Sequence, residues 1–259
     1  MISTFLFLII AGFGAGLLAS TAGLASLVSY PALLATGLSP VIANVTNTTA
    51  LIFTGIGALF SSLKELHNHW KILTLYIFLA LTGSIFGSTL LLIFPSKSFE
   101  KVVPFFILTA GILLFNSGRK KEAAVTRLKK ENPSKTHQTL VNILCYIGLF
   151  FVGAYTGYFG AAGGVLILAI LSTITDYPFP VVNAMKNVIA FTGNLVATII
   201  FIFKSKIYWL FVIPLGIGFL CGGYTGPIIV RHINIHLLRA LISLAAFGLA
   251  GYLFVTAYF

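Results

Sequence analysis

The sequence predicts an all-α protein that crosses a membrane several times. Of its 259 residues, 58% are hydrophobic and only 8% are charged, and the mean hydropathy is +1.04. A soluble domain carries about a quarter charged residues, whereas a membrane-spanning helix needs roughly 20 consecutive apolar residues. The composition therefore excludes a water-soluble enzyme, a disulfide-stabilised secreted domain and a disordered chain.

Polar breaks divide the chain into apolar blocks that predict about eight transmembrane segments. The first and fifth blocks are too long for one crossing helix and are interrupted by glycines, so we expect a broken, Gly-rich first helix in each half. The first block has no basic flank and continues past residue 30, which favours a membrane segment over a cleaved signal peptide. The blocks cover residues 2–36, 39–63, 70–93, 99–116, 139–174, 179–203, 207–230 and 235–258.

The two halves of the chain resemble each other. The polar stretch 117–138 separates a first membrane repeat, 1–116, from a second, 139–259. Paired Trp and Pro in the same order indicate an internal duplication with four segments in each half. Such repeats are typical of secondary transporters, in which the substrate site lies between the halves near the midplane. The matched pairs include Gly12 and Gly153, Pro40 and Pro180, Asn47 and Asn187, Trp70 and Trp209, and Gly87 and Gly226.

Basic residues are concentrated in the linker 117–138, which holds seven of the sixteen Lys and Arg residues. This bias is typical of a cytoplasmic loop and predicts a multi-pass protein of the cell membrane. The net charge of +11 is thereby explained without a nucleic-acid partner. If the first and fifth blocks each cross once, the halves run parallel; if they return as hairpins, the halves are inverted. The charge bias places the linker in the cytoplasm under both arrangements.

Two Gly-rich breaks are the first candidate parts of a site. They are AGFGAGLLASTAGLASLVSYP at 11–31 and VGAYTGYFGAAGGVLILAIL at 152–171. Ser20 and Thr21 supply hydroxyls at the first break. A helix that restarts after Gly23 or Gly164 presents free backbone N–H groups and a positive dipole end, which suit an anion. Tight helix packing is the alternative explanation, but the occurrence of both breaks at matched positions favours a site.

A second polar cluster follows each break, in 39–55 and in 179–194. Interhelical hydrogen bonding is the alternative explanation for each amide or hydroxyl. Lys186 is different, because a charge within an apolar helix is costly and indicates function. Its alternatives are an ammonium that reaches the interface and an ion pair with Asp176. The polar side chains are Asn44, Thr46, Asn47, Thr48, Thr49 and Thr54 in the first cluster, and Asn183, Lys186, Asn187 and Asn194 in the second.

Acidic residues are absent from the apolar segments. A buried carboxylate is the common means of carrying a proton or holding Na⁺, so a cationic substrate and carboxylate-based proton coupling are disfavoured. One buried Lys, many neutral donors and two helix N-termini instead favour a small anion. No catalytic, metal-binding or phosphate-binding grouping occurs, so we expect no enzyme activity, metal or cofactor. The five acids are Glu65, Glu100, Glu122, Glu131 and Asp176.

The motifs together resemble the sulfite exporter TauE/SafE family over nearly the whole chain. They are STAGLASLVSYP, GLSPVIANVTNTTA, GAAGG and NAMKNVIAFTGN. The resemblance implies a permease that moves sulfite or an organosulfonate such as sulfoacetate, usually outward. The first break reads TAGLAS where the family often has a longer glycine run, and Ala169 lies near the place of a family proline. The resemblance implies break points at Gly23, Gly163 and Gly164, and site residues Asn44, Thr46, Asn47, Lys186 and Asn194.

We therefore predict an alternating-access permease for a small sulfur-containing anion in a lipid bilayer. Six side chains of the two polar clusters line a site near the midplane, with backbone N–H groups at Gly23 and Gly164 opposite; they are Asn44, Thr46, Asn47, Lys186, Asn187 and Asn194. A membrane scaffold that acts through its basic linker and a simple anion channel are the alternatives. Substrate identity, coupling ion and oligomeric state stay open. The predicted site residues are Ser20, Thr21, Gly23, Asn44, Thr46, Asn47, Gly163, Gly164, Lys186, Asn187 and Asn194.

Overall fold

The computed structural model describes an all-helical chain, with no strand in the described residues. These are 2–94, 101, 104–105, 108, 112, 135–160, 163–230, 244, 247–248, 250–252, 254–255 and 258. The predicted segments 99–116 and 235–258 and the linker 117–138 lie mostly outside them. The helices are α1 (Ile2–Ala22), α2 (Ser26–Ala35), α3 (Pro40–Leu66), α4 (Trp70–Ile93), α5 (Lys135–Tyr158), α6 (Gly163–Ile174), α7 (Phe179–Lys204) and α8 (Trp209–Val230).

Six of these helices are long and apolar enough to cross a membrane: α1, α3, α4, α5, α7 and α8. Their outward faces carry large apolar side chains, such as Phe60, Phe78 and Phe203, which are 67%, 63% and 82% exposed. An exposed apolar surface of this kind is suited to lipid and not to water. The chain is thus a multi-pass membrane protein.

Short helices follow α1 and α5, and the chain reverses direction between the members of each pair. Gly23 has a φ of 79° and donates its N–H to the carbonyl of Ala19 at 2.9 Å, which ends α1. Gly160 has a φ of 73° after α5. Along α5 and α6, Gly163 lies beside Thr156 whereas Ile170 lies beside Gly148, so these two helices are antiparallel.

Glycines set the direction in which the long helices pack. Gly12 and Gly16 in α1 face Leu215 and Phe219 in α8, so these helices run in the same direction. The same rule holds for α4 and α5, where Gly83 faces Phe150 and Gly87 faces Ala154. In each case a Cβ at the glycine would meet the neighbouring backbone. Glycine is therefore required for this close approach.

Two apolar cores show that α3 and α7 run in opposite directions. In the first core, Ala43 and Val45 near the start of α3 pack with Phe201 near the end of α7. In the second core, Leu66 at the end of α3 packs with Val182 near the start of α7. The first core also contains residues of α1 and α2, and the second contains residues of α5 and α6. Each core is thus built from both halves of the chain.

The reversal after α1 follows from these directions. Thr46 near the start of α3 contacts Tyr208 beside the start of α8, and Gly57 lies against Leu220 further along, so α3 and α8 are parallel. Because α1 is also parallel to α8, α1 and α3 share one direction. The intervening α2 must then return toward the start of α3. The sequence had left a single crossing and a returning hairpin open, and the described helices have the hairpin arrangement.

Candidate functional site

A cavity lies where the two helix breaks meet α3 and α7. Its volume is about 60 Å³, which is room for about four water-sized groups at roughly 15 Å³ each. Its wall combines backbone of the breaks, hydroxyls, amides, one Lys and apolar side chains. The lining residues are Ala19, Gly23, Ala25, Ser26, Thr48, Leu51, Thr54, Gly55, Ala58, Thr156, Phe159, Gly160, Gly164, Lys186, Asn187, Ala190, Phe191 and Asn194.

The two breaks touch each other at this cavity. A Cβ at Gly23 would meet the Cα of Gly164 and would also lie 2.8 Å from the backbone nitrogen of Val165. Gly163, beside this contact, packs against the Cγ2 of Thr156 and does not line the cavity. The absence of side chains at Gly23 and Gly164 therefore lets one half of the chain contact the other.

Lys186 is held in the wall of the cavity by the end of α1. Its side chain is 1% exposed, and its Nζ donates to the carbonyls of Ala19 and Ser20 at 2.7 and 3.2 Å. These carbonyls belong to the last turn of α1, where the helix dipole is negative and favours a cation. An ammonium has three donors, so one remains beyond these two bonds. No ion pair to Lys186 occurs among the described residues, and Asp176 is exposed.

Two further amides of α7 converge on the carbonyl of Ser20. Asn183 donates to it at 2.8 Å and Asn187 at 3.3 Å. The hydroxyl of Ser20 points elsewhere, to the carbonyls of Gly16 at 2.8 Å and Gly222 at 3.3 Å. Thr21 likewise donates within its own helix, to Leu17 at 2.6 Å. At the first break the backbone carbonyl of Ser20, and not the predicted hydroxyls, joins α1 to α7.

The predicted polar residues at the start of α3 make a similar connection to the second half. Asn44 donates to the carbonyl of Tyr158 at the end of α5 at 2.9 Å. Thr46 accepts from the backbone N–H of Tyr208 at 3.2 Å. Neither side chain lines the cavity. Their observed bonds hold helices together, and a role for them in substrate binding stays a prediction.

Asn47 reaches the cavity indirectly, through Ser26. Its amide donates to the hydroxyl of Ser26 at 3.1 Å, and Ser26 lines the cavity at the first position of α2. The hydroxyl hydrogen of Ser26 is left to donate toward a ligand, since its oxygen is the acceptor in this bond. Ser26 is not among the site residues predicted from the sequence, although a Ser that begins a helix after a glycine break is a recognisable signal.

Thr54 also lines the cavity and, like Ser26, is not among the predicted site residues. It is 5% exposed, and its Oγ1 has no hydrogen-bond partner among the described residues. Its position seven residues after Asn47 places both on one face of α3, so the helical period was the signal that would have found it. Asn194, which the sequence did select, lines the cavity on α7, and no side-chain bond from it occurs in the described part of the chain.

The cavity can therefore bind a small anion by charge and hydrogen bonds. Lys186 supplies the positive charge, while Ser26, Thr54 and Asn194 supply neutral donors. The site residues that it brings together are Gly23, Gly164, Lys186, Asn187 and Asn194. Those that lie outside its wall are Ser20, Thr21, Asn44, Thr46, Asn47 and Gly163.

Comparison with known proteins identifies a family and several relatives. The family model described as sulfite exporter TauE/SafE matches residues 8–253. A probable membrane transporter protein of Haemophilus influenzae is 28% identical over 91% of this chain and 89% of its own length. A probable membrane transporter protein of Sinorhizobium is 23% identical over 94% and 90%, and YunE of Bacillus subtilis, of the same description, is 23% identical over 88% and 89%. No solved structure matches the chain.

Proposed function

The chain belongs to the sulfite exporter TauE/SafE family, and from that membership we propose that it is a permease for a small sulfur-containing anion. The substrate is sulfite or an organosulfonate such as sulfoacetate, and the direction is export. The proposal depends on the position of Lys186. Its side chain lines the cavity, is 1% exposed and has no carboxylate partner among the described residues. A buried charge of this kind is expensive and is retained where it binds a ligand.

The position of Lys186 favours an anion over other substrates. The described residues of the cavity wall include no acidic side chain, so a cation would meet the ammonium, neutral donors, backbone and apolar groups. The last turn of α1 holds the ammonium in place, and a substrate oxyanion would supply its missing counter-charge. This arrangement resembles the broken-helix sites of secondary transporters, where helix ends orient charged groups at mid-membrane depth.

We propose that the two halves are inverted repeats of four segments each, 1–116 and 139–259. Under this proposal α1 to α4 correspond to α5 to α8. The opposite directions of α3 and α7 support it, and so do the paired breaks at Gly23 and Gly160. The six long helices and the segments 99–116 and 235–258 are then the eight membrane-crossing segments. The short helices α2 and α6 are re-entrant.

We propose that this arrangement transports its substrate by alternating access. The cavity lies between the two cores, at the contact of Gly23 with Gly164. We propose that the two halves of the chain rock against each other about this contact, opening the cavity to one side of the membrane at a time. The glycine-lined contacts of α1 with α8 and of α4 with α5 provide smooth surfaces for small shifts. The basic linker 117–138 lies in the cytoplasm of a cell-membrane protein.

Uptake of labelled sulfite into proteoliposomes tests the proposal. Unlabelled sulfoacetate, thiosulfate, sulfate and chloride serve as competitors. The wild type is compared with Lys186→Ala and with the control Lys204→Ala, whose side chain is exposed at the end of the same helix. We expect saturable uptake that Lys186→Ala abolishes and Lys204→Ala preserves.

Three results would each contradict part of the proposal. Folded wild-type protein that moves no anion would favour a membrane scaffold, and the linker 117–138 would then be the part to shorten. Uptake that does not saturate and is orders of magnitude faster than carrier turnover would favour a channel. Full activity in Lys186→Ala would remove that residue from the mechanism.

A further inference from the structure

We propose that the site selects anions by charge, and that the transported species is a monoanion. The proposal rests on the transport function given above and specifies its substrate class. It is carried by the charge balance of the cavity together with the neutral donors and apolar side chains of its wall. Hydrogen sulfite and small monoanionic sulfonates meet this description, whereas sulfate, sulfoacetate and other dianions do not. Of the two substrates named under the transport function, the proposal therefore retains sulfite and excludes sulfoacetate.

The charge balance is set by a single side chain. Among the described residues that line the cavity, Lys186 is the only one with an ionisable side chain. Ala19 and Ser20 contribute carbonyl oxygens to its ammonium, and carbonyls do not neutralise a full charge. A bound monoanion therefore brings the site to zero net charge. A dianion would leave one uncompensated negative charge at a buried position, which is disfavoured in a low-dielectric interior.

Neutral donors around Lys186 fit oxygen atoms without adding charge. The hydroxyl of Thr54 is unpartnered in the described part of the chain, and the hydroxyl of Ser26 accepts from Asn47 and retains its hydrogen. The backbone N–H groups of Ala25 and Ser26, at the start of α2, make no backbone hydrogen bond within the described residues. These groups would bind the oxygens of an oxyanion, and a halide would satisfy few of them.

Apolar side chains complete the wall and limit how many oxygens can be bound. Leu51, Ala58, Ala190 and Phe191 line the cavity and offer no side-chain donor. An anion with oxygens on one side and a lone pair or methyl group on the other fits such a wall. Sulfate, with four equivalent oxygens, would place at least one against apolar surface.

Selection of a monoanion has a consequence for coupling. Sulfite that binds as hydrogen sulfite brings its own proton through the membrane. In the part of the cavity wall that the structure describes, no carboxylate or His would carry this proton separately. Each transport cycle would thus move one hydrogen sulfite ion, which has a net charge of −1 and includes the proton.

Methanesulfonate and sulfate provide a matched pair for the test. Both are tetrahedral sulfur oxyanions with five non-hydrogen atoms, but methanesulfonate carries one charge and sulfate carries two. Each is added in increasing concentration to wild-type proteoliposomes that take up labelled sulfite. We expect methanesulfonate to inhibit uptake at a concentration at least ten-fold lower than sulfate does. A second variant, Asn194→Lys, adds a positive charge to the wall, and we expect it to shift the preference toward sulfate by at least ten-fold.

The outcomes separate this proposal from the transport function on which it rests. Sulfite uptake that depends on Lys186, and that sulfate inhibits as well as methanesulfonate does, would overturn the monoanion proposal and leave the permease intact. Absence of uptake for every anion, with folded protein, would overturn both. The wild-type comparison decides the question even if Asn194→Lys does not fold.

Discussion

The backbone of Gly23 lies directly against the backbone of Gly164, and this contact joins the two halves of the chain at the candidate site. Each glycine lies at a point where a long helix has ended and a short one begins. Because neither residue has a side chain, the ends of the two broken helices approach closely. The carbonyls of Ala19 and Ser20 are thereby placed beside Lys186, which belongs to the other half.

Substitution of Gly23 tests this contact, and Gly37 and Gly14 supply the controls. Gly23 has a φ of 79°, and a Cβ there would meet Gly164. Gly37 has a φ of 89° but nothing within 4 Å of an added Cβ. We expect Gly37→Ala to lower the free energy of unfolding by about 1–2 kcal/mol, because Ala disfavours a positive φ. Gly23→Ala should lower it further, because it also disrupts the packing of the two halves. Thermal unfolding in detergent and anion uptake measure both effects.

Gly14→Ala completes this series. Gly14 is in the interior of α1 and has nothing within 4 Å of its added Cβ. We expect unchanged or slightly raised stability, because Ala exceeds Gly in helix propensity by about 1 kcal/mol. Equal losses for Gly23→Ala and Gly37→Ala would show that the contact with Gly164 contributes nothing.

Thr54 and Thr198 form a matched pair for testing the ligand role of a hydroxyl. Both are nearly buried, at 5% and 4% exposed, and both have an Oγ1 without a partner among the described residues. Only Thr54 lines the cavity. A hydrogen bond to a charged group contributes about 1.5–3 kcal/mol, so Thr54→Val should weaken the apparent affinity for the anion by about ten- to a hundred-fold.

Thr198→Val should leave that affinity unchanged, while both variants keep or raise their unfolding temperature. Concentration dependence of sulfite uptake gives the affinity, and thermal unfolding in detergent gives the stability. If the two Val variants transport with the same affinity, the Thr54 hydroxyl does not contact the substrate.

The sequence predicts more of the helices than of the site. Apolar blocks bounded by polar residues gave the all-helical membrane class, because period and length suffice to identify a crossing helix. Lys186 was also identified from sequence, since a charge in an apolar segment is conspicuous. The direction of α2 could not be predicted, because a glycine break permits either continuation or return. Ser26 was missed for a related reason: it reaches the cavity only after the chain reverses at Gly23.

The hydrogen-bond partners of the polar side chains also could not be predicted from the sequence. Asn44 and Asn183 occupy similar places in the two polar clusters, but their amides donate to backbone carbonyls of Tyr158 and Ser20 in the opposite halves. Backbone carbonyls carry no sequence signature, and their availability depends on where a helix ends. Only the three-dimensional placement separates an amide that joins helices from one that lines the cavity.

Asn183 and Asn194 provide a test of that distinction. Asn183 is 1% exposed and holds the carbonyl of Ser20, whereas Asn194 lines the cavity. We expect Asn183→Ala to destabilise the protein by about 1–2 kcal/mol, because the variant loses a buried interhelical hydrogen bond. Asn194→Ala should retain the stability of the wild type and transport more slowly. Thermal unfolding and sulfite uptake, measured on the same preparations, distinguish the two; a stable Asn183→Ala would contradict the joining role.

Inverted halves predict that the starts of α3 and α7 face opposite sides of the membrane. Ser39 precedes α3 and Asp176 precedes α7, and both are exposed. Single cysteines, Ser39→Cys and Asp176→Cys, are introduced after the native Cys145 and Cys221 are replaced by Ala. A membrane-impermeant maleimide added to intact cells should label position 39, on the side opposite the linker, and should reach position 176 only after permeabilisation.

Parallel halves would place both positions on the same side, so equal labelling in intact cells would contradict inversion. Which of the two positions is labelled in intact cells also shows on which side of the membrane the linker lies. Asp176 lies on the side where α5 begins, which is the linker side, because α5 and α7 both run from the second core toward the first. Labelling of position 176 alone in intact cells would therefore preserve the inverted relationship but place the linker outside the cell. In that case the basic linker would violate the charge bias of cytoplasmic loops, and the direction of transport relative to the two cores would be reversed.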